Sequence, residues 1–175
     1  MSIPTFKRLT LPTLEVVEAF SRWESDPALI PLTRPNRGEA DLTHGSRVTE
    51  EELSARLRSH SMYLIVLDGR LVGEMNYRVD PEHLFRVAPR TAWVGITIGE
   101  ASARGRGIGS QALSYLEEEI WRAGLARIEL GVFAFNVPAI QTYRKLGYAE
   151  IGRIPDFTYW HGRMWEDIRM EKRPA

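Results

Sequence analysis

Residues 103–113, ARGRGIGSQAL, set three glycines, Gly105, Gly107 and Gly109, in alternation with Arg104, Arg106 and Ile108. A tight turn needs one glycine or two. Three at alternate positions point to backbone that something approaches closely, or that takes left-handed conformations. The stretch lies between a strand-like run, TAWVGITIG (91–99), and a strongly helical one. Loop N–H groups that feed a helix N-terminus make an anion cradle, favoured by the helix dipole. Arg104 and Arg106 can add charge-assisted hydrogen bonds to phosphate oxygens. The same residues also fit a glycine-rich turn with two solvated arginines. A P-loop would need GxxxxGK[ST], and the stretch has no lysine. Gly107, Gly109 and Ala112 satisfy the dinucleotide-binding fingerprint, with Glu129 at about the right distance downstream. Against that reading, Glu100 to Arg106 separate the strand from its first fingerprint glycine, and antiparallel hairpins upstream do not belong to a doubly wound nucleotide fold.

Other residues could move protons. Glu74, in LVGEMNYRV, sits on a strand among apolar neighbours, where desolvation raises a carboxyl pKa toward the range of a general base. It could equally lie on the polar face of the strand. Glu100 follows the strand before the glycine loop and reads as solvated or as a loop anchor. His161, in YWHGR, has the ordinary pKa of a base, but His-Gly between two strands reads as a turn. His44, His60 and His83 are scattered without metal-ligand spacing, so no metal is expected. Glu117, Glu118 and Glu119 read as a solvated helix face. The chain has no cysteine, which excludes disulfides, thiolate metal sites and cysteine nucleophiles.

The elements that must position these residues follow from period and punctuation. TFKRLTL (5–11) alternates as a strand, and Val16, Phe20 and Trp23 give residues 12–23 a helical apolar stripe. Residues 24–48 are polar and rich in Pro and Gly, long for a connector and therefore a candidate functional loop. Thr49 to Glu52 is a capping box opening a short helix. Residues 62–79 form a hairpin around Asp68-Gly69, a pair suited to a type I′ turn. After the glycine loop comes a helix to about Gly124, then a strand (126–135), a helix (137–146) opened by Pro138 and closed by Gly147, and two last strands, YAEIGRI and RMWEDIRMEK, joined by a loop over 155–163. The order predicts an α/β (α+β) fold: a single mixed, mostly antiparallel sheet with helices on both faces, in one domain spanning 1–175. Lys plus Arg (23) equals Asp plus Glu (23), so no global charge draws the chain to nucleic acid or an anionic membrane. No signal-peptide layout and no spanning apolar run is present, so a cytoplasmic location is expected.

Arg104-Gly105-Arg106-Gly107-Ile108-Gly109 resembles the Arg/Gln-x-x-Gly-x-Gly/Ala motif of the GNAT superfamily of acetyl-CoA-dependent N-acetyltransferases. VFAFNVPAIQTYRKLGYAEIGR (132–153) is similar to the second signature of that family, with Asn136, Ala139, Tyr143, Lys145, Gly147 and an aromatic Tyr148. In element order the likeness covers nearly the whole chain and looks closest to the branch of ribosomal-protein alanine and spermidine N-acetyltransferases. It implies a GNAT-like acyl-CoA N-acyltransferase fold and transfer of an acetyl group to a primary amine, of a protein N-terminus or a small molecule, by direct attack in a ternary complex. It also implies that Arg104, Gly105, Arg106, Gly107, Ile108, Gly109 and Ser110 hold the coenzyme A pyrophosphate. Ile98 and Gly99 would pair with the pantetheine arm, and Asn136 would contact the cofactor where the next strand diverges. Tyr143 would be the acid for the departing thiolate, and Glu74 is the leading base. A homodimer is common in that branch. The rival readings are a non-catalytic acyl-CoA-binding module, motivated by the lack of an obvious base, and a dinucleotide-binding enzyme. The resemblance further implies that residues 24–48 and 155–163 wall the acceptor site. Tyr159 and Trp160 could contact the acceptor or plug the core edge, and Asp26, Glu39, Asp41, Glu74 and Glu82 are the carboxylates a polyamine would want.

Overall fold

The computed structural model describes residues 2–175. Seven strands form one sheet: β1 (Thr5–Leu9), β2 (Ser61–Leu67), β3 (Arg70–Val79), β4 (Thr91–Ile98), β5 (Arg127–Phe133), β6 (Ala149–Trp160) and β7 (Arg163–Lys172). Their spatial order is β1-β2-β3-β4-β5-β7-β6. Only β4 and β5 pair in parallel, and the connection between them carries the glycine loop and helix α4 (Ile108–Arg122). The mixed, mostly antiparallel sheet expected from the sequence is the one observed.

Alternation along the strands sorts the two faces. On one face Tyr63, Ile65, Met75, Ile128, Leu130 and Met170 pack beneath Ala112, Leu113, Leu116 and Ile120 of α4 and Ile140 of α5 (Val137–Lys145). On the other, Met62 and Leu64 meet α1 (Leu14–Glu24) and α3 (Glu50–Ser59), whose Val16, Phe20, Trp23 and Leu53 form a second core. Both helices start where side chains satisfy orphan N–H groups. The Thr13 hydroxyl accepts from Val16 N, and Thr49 and Glu52 form the reciprocal capping box. Asp68 and Gly69 turn the β2–β3 hairpin at φ 50° and 75°, the left-handed pair a type I′ turn requires.

Three expectations need correction. The loop expected over 155–163 is mostly strand: β6 runs on to Trp160, and only His161 and Gly162, at φ 48° and 81°, turn the chain into β7. Between Ile154 and Thr158 the register shifts, because Pro155 has no N–H for the ladder and Asp156 sits at φ 49°. That bulge is why the segment looks like a loop in the sequence. Second, Glu117 is not on a solvated face. It is buried and bonded to Lys172 Nζ, reaching from β7 to α4. Third, residues 24–48 contain a short helix, α2 (Ile30–Thr33), and a 3-10 turn (Glu39–Thr43). Asn36 fixes this segment to β6: its N–H donates to Thr158 Oγ1 at 2.9 Å, and its carbonyl accepts from Tyr159 N at 2.7 Å.

Candidate active site

β4 and β5 pair only over Thr91–Trp93 and Arg127–Glu129, then separate. Parallel strands that part leave a wedge with no strand to fill it. A cleft of about 740 Å³ occupies that wedge, with Ile96 and Ile98 on the β4 side and Val132 and Phe133 on the β5 side. The cleft reaches Arg104 and Gly109 at one end and Asn136, Ala139 and Tyr143 of the α5 region at another. The fold therefore gathers Ile98, Arg104, Gly109, Asn136, Tyr143 and Glu74 around one space, though they span 70 positions from residue 74 to residue 143.

The glycine loop has the shape of a cradle. Gly107 is the N-cap of α4 at φ 75°, with no side-chain cap, and Gly105 lies at φ 70°. A Cβ at either position would meet no protein atom within 4 Å. The concave side is thus open to a ligand. The N–H groups of Ile108, Gly109 and Ser110 fall in the first helical turn and have no intrahelical acceptor; the first such bond, Gln111 N to Gly107 O, follows at 3.3 Å. Three orphan donors at a helix start, on a bare backbone, suit a diphosphate. The two arginines part company. Arg106 is exposed, whereas the Arg104 guanidinium turns inward and donates to Ile98 O (3.0 Å), Gly99 O (2.6 Å) and Asp26 Oδ2 (2.9 Å). Arg104 therefore braces the loop against the end of β4, and its guanidinium is already committed. Asp26 is held below the usual carboxylate range by the Arg104 bond.

Gly99 is buried where Trp23 of α1 lies against the backbone; a Cβ there would sit 2.1 Å from Trp23 Cε2. The Trp23 indole N–H donates to Glu100 Oε1 at 2.9 Å, and Arg22 pairs with the same oxygen at 2.8 Å. Glu100 is the loop anchor of the two alternatives, tying α1 to the end of β4.

Glu74 lies opposite Thr97 on the face that carries α1 and α3. It lines the main cleft and also a second cavity of about 400 Å³, walled by Phe20, Trp23 and Met62 and rimmed by Glu24, Arg56 and His60. Burial pushes the Glu74 carboxyl up from 4.5 to about 7, against the opposing hydrogen bond from Asn76 Nδ2 at 3.1 Å. A carboxyl at that value, on the partition between two cavities, can exchange a proton near neutrality. Tyr143 is half-buried and packs edge-on to Tyr148, with ring centroids 5.9 Å apart. Burial pushes its phenol up to about 12, so it stays protonated through the neutral range. Asn136 caps α5, its Oδ1 accepting from Ala139 N at 3.4 Å, and lies in the cleft wall where β5 ends.

Glu129 does not serve a dinucleotide. It is fully buried beside Arg127, accepts from Phe85 N at 2.6 Å and lies 3.5 Å from Arg169. This ion cluster fixes the loop over residues 80–90 to the sheet. Of the carboxylates weighed for a polyamine, only Glu74 lines either cavity. Tyr159 and Trp160 line neither; Trp160 stacks on Phe135 at 4.3 Å, and Phe157, turned in by the β6 bulge, lines the cleft instead. Arg34 lines both cavities and was not singled out by the sequence, because nothing local to PLTRPNR marks it.

The sequence matches the acetyltransferase (GNAT) family over residues 19–148. No curated protein sequence matches the chain. Among solved structures, a ribosomal-protein-alanine N-acetyltransferase from Brucella melitensis is 25% identical, with a TM-score of 0.63, covering 74% of this chain and 81% of that one. A spermidine N-acetyltransferase from Vibrio cholerae, in complex with CoA and spermine, is 15% identical with a TM-score of 0.74 over 97% and 95% of the two chains. A Salmonella typhimurium protein solved with its cofactor acetyl-CoA is 16% identical with a TM-score of 0.73 over 98% and 94%. At these last two identities the likeness is one of fold. The open glycine cradle, the parted parallel strands and the family match agree: the chain belongs to the GNAT acetyltransferases and is an acetyl-CoA-dependent N-acetyltransferase.

Proposed function

We propose that residues 1–175 form one catalytic unit that acetylates a small primary amine by direct attack, with acetyl-CoA in the wedge between β4 and β5 and the amine entering over Glu74. The observation that carries this reading is the position of Glu74 in the shared wall of the two cavities. The glycine loop would hold the diphosphate through the N–H groups of Ile108, Gly109 and Ser110, with Arg106 free to add its charge. The edge of β4 that β5 leaves beyond Trp93, running to Ile98 and Gly99 whose carbonyls Arg104 holds, would take the pantetheine arm as a strand edge takes a peptide. Bound acetyl-CoA supplies a thioester whose carbonyl carbon accepts the amine nitrogen as its C–S bond breaks.

An amine reaches the site largely as an ammonium ion and must lose a proton before its lone pair can attack. Glu74, with its pKa near 7, takes that proton and passes it on to solvent. A backbone N–H at the end of β4 would hold the charge that develops on the carbonyl oxygen. The proton shed by the acylated nitrogen balances the one the sulfur gains. Tyr143 is a donor throughout, but its pKa of about 12 stands well above that of an ordinary thiol, about 8.5. Full proton transfer from the phenol is therefore uphill, and Tyr143 acts by donating a hydrogen bond to the leaving sulfur.

The test is release of free thiol from acetyl-CoA across a panel of amines, with acetyl-CoA binding measured by calorimetry. Amine-dependent release is expected. Tight binding of acetyl-CoA with no release for any amine would return the chain to a binding module.

A further inference from the structure

Resting on the reading of Glu74 as the amine-side base, the charges on the cavity walls define what the amine carries. Four arginines line the two cavities: Arg34, Arg56, Arg104 and Arg169. Three face a carboxylate, Arg56 with Glu24, Arg104 with Asp26 and Arg169 with Asp167. Among the described residues Arg34 has none within salt-bridge distance. Its guanidinium is held by neutral acceptors: Ser46 Oγ at 3.3 Å, Asp41 O at 3.1 Å and the His44 carbonyl. The lining carboxylates show the same pattern. Glu24 and Asp167 are spent on arginines, while Glu74 has only the neutral Asn76 amide. The walls thus present one cation and one carboxylate with no opposite charge bonded to them, and both line both cavities.

A half-buried guanidinium without a counter-ion is costly to keep, and planar carboxylate is the anion its fork fits best. The segment that carries Arg34 is also fixed in advance. Asn36 Nδ2 donates to Ile30 O and Arg34 O, and the Asn36 main chain is tied to β6. We propose that the acceptor is a small amino carboxylic acid, its amine at Glu74 and its carboxylate on Arg34. A polyamine fits poorly, since it would bring several cations to a wall that already holds an unpaired one. The smaller cavity, about 400 Å³, is of the size that takes a small molecule.

The test compares thiol release for glycine, alanine, methionine and β-alanine with release for the primary amide of each, and for spermidine. An amide keeps the amine and the size but loses the negative charge. Its amine is also the less basic of the two and is deprotonated in larger part near neutral pH, so a preference for the acid cannot come from a larger fraction of free amine. At least one acid should exceed its amide in kcat/KM by about 10- to 100-fold, the worth of a charge-assisted contact. Arg34→Gln should collapse that acid-to-amide ratio toward one while KM for acetyl-CoA holds. Arg34→Lys, which keeps the charge without the fork, should keep part of the ratio. Spermidine or the amides outrunning every acid in the wild type would overturn the proposal while leaving the functional reading intact. So would an Arg34→Gln variant that keeps the wild-type ratio, or one whose main defect is KM for acetyl-CoA. Silence from every amine would overturn the functional reading and this inference with it.

Discussion

Replacing Glu74 by Gln removes one ionisable group and almost no volume, and the new amide can still meet Asn76. Two consequences can be worked out separately. The first is kinetic. A positioned general base contributes about 10²- to 10⁴-fold, so kcat/KM should fall by that factor. Below about pH 7 the wild type needs two deprotonations, of Glu74 and of the amine, so log kcat/KM should climb with twice the slope it has above pH 7. The variant should show the single slope throughout. The second is thermodynamic. The folded-state pKa is raised, so folding favours the protonated carboxyl. Its contribution is fully present below 4.5 and is lost as pH rises through about 7. At pH 8 the ionised Glu74 therefore costs the fold up to about 3 kcal/mol, from a shift of roughly 2.5 pKa steps. Glu74→Gln should melt higher than wild type at pH 8, at about 2–4 °C per kcal/mol for a chain of this size, and level with it near pH 4.5. The assays are thiol release against pH and thermal melts at the two pH values. A kinetic loss under about tenfold, or a melting difference that does not change with pH, would refute the reasoning about Glu74.

Tyr143→Phe should lower kcat by about 10- to 100-fold with little change in KM for acetyl-CoA, as expected for a hydrogen bond made to a charge that forms only late in the reaction; an unchanged kcat would leave Tyr143 a packing residue against Tyr148. Gly107→Trp should abolish acetyl-CoA binding in calorimetry, since the indole would fill the cradle and a side chain at φ 75° strains the backbone; retained affinity would place the diphosphate elsewhere. Arg127→Met should destabilise the protein by about 3–5 kcal/mol in denaturant melts, because it leaves Glu129 buried without its closest counter-ion; a shift below about 1 kcal/mol would show that Arg169 alone can neutralise Glu129.

Much of this fold is legible in the sequence because its signals are local. Asp68-Gly69, the Thr49–Glu52 capping box, Pro138 and Gly147 each bias the few residues around them, and each stands where the structure puts an element end. The glycine loop is legible for the same reason: alternate glycines before a helix are a backbone property. The β6 bulge defeats local reading, since Pro155-Asp156 looks like any loop until β7 supplies the partner strand that carries the chain through it. Glu117 is hidden likewise. Within its helix it is one of three adjacent glutamates, and only Lys172, 55 residues away, makes it an inward-facing one.

By itself the sequence determined the element order, the mixed sheet and the phosphate-suited loop, all of which depend on neighbours within a turn or a strand. Tertiary structure alone decided which charges remain free. Arg104 and Arg106 are equivalent on paper, yet Asp26 and the end of β4 take the first and leave the second in solvent. Arg34 and Glu74 acquire meaning only because the other cavity-lining arginines each meet a carboxylate, Arg56 and Arg104 across elements distant in the chain and Arg169 two residues away on β7. Charge pairing is a through-space interaction, so partners that lie far apart in the chain cannot be matched from the order of residues alone.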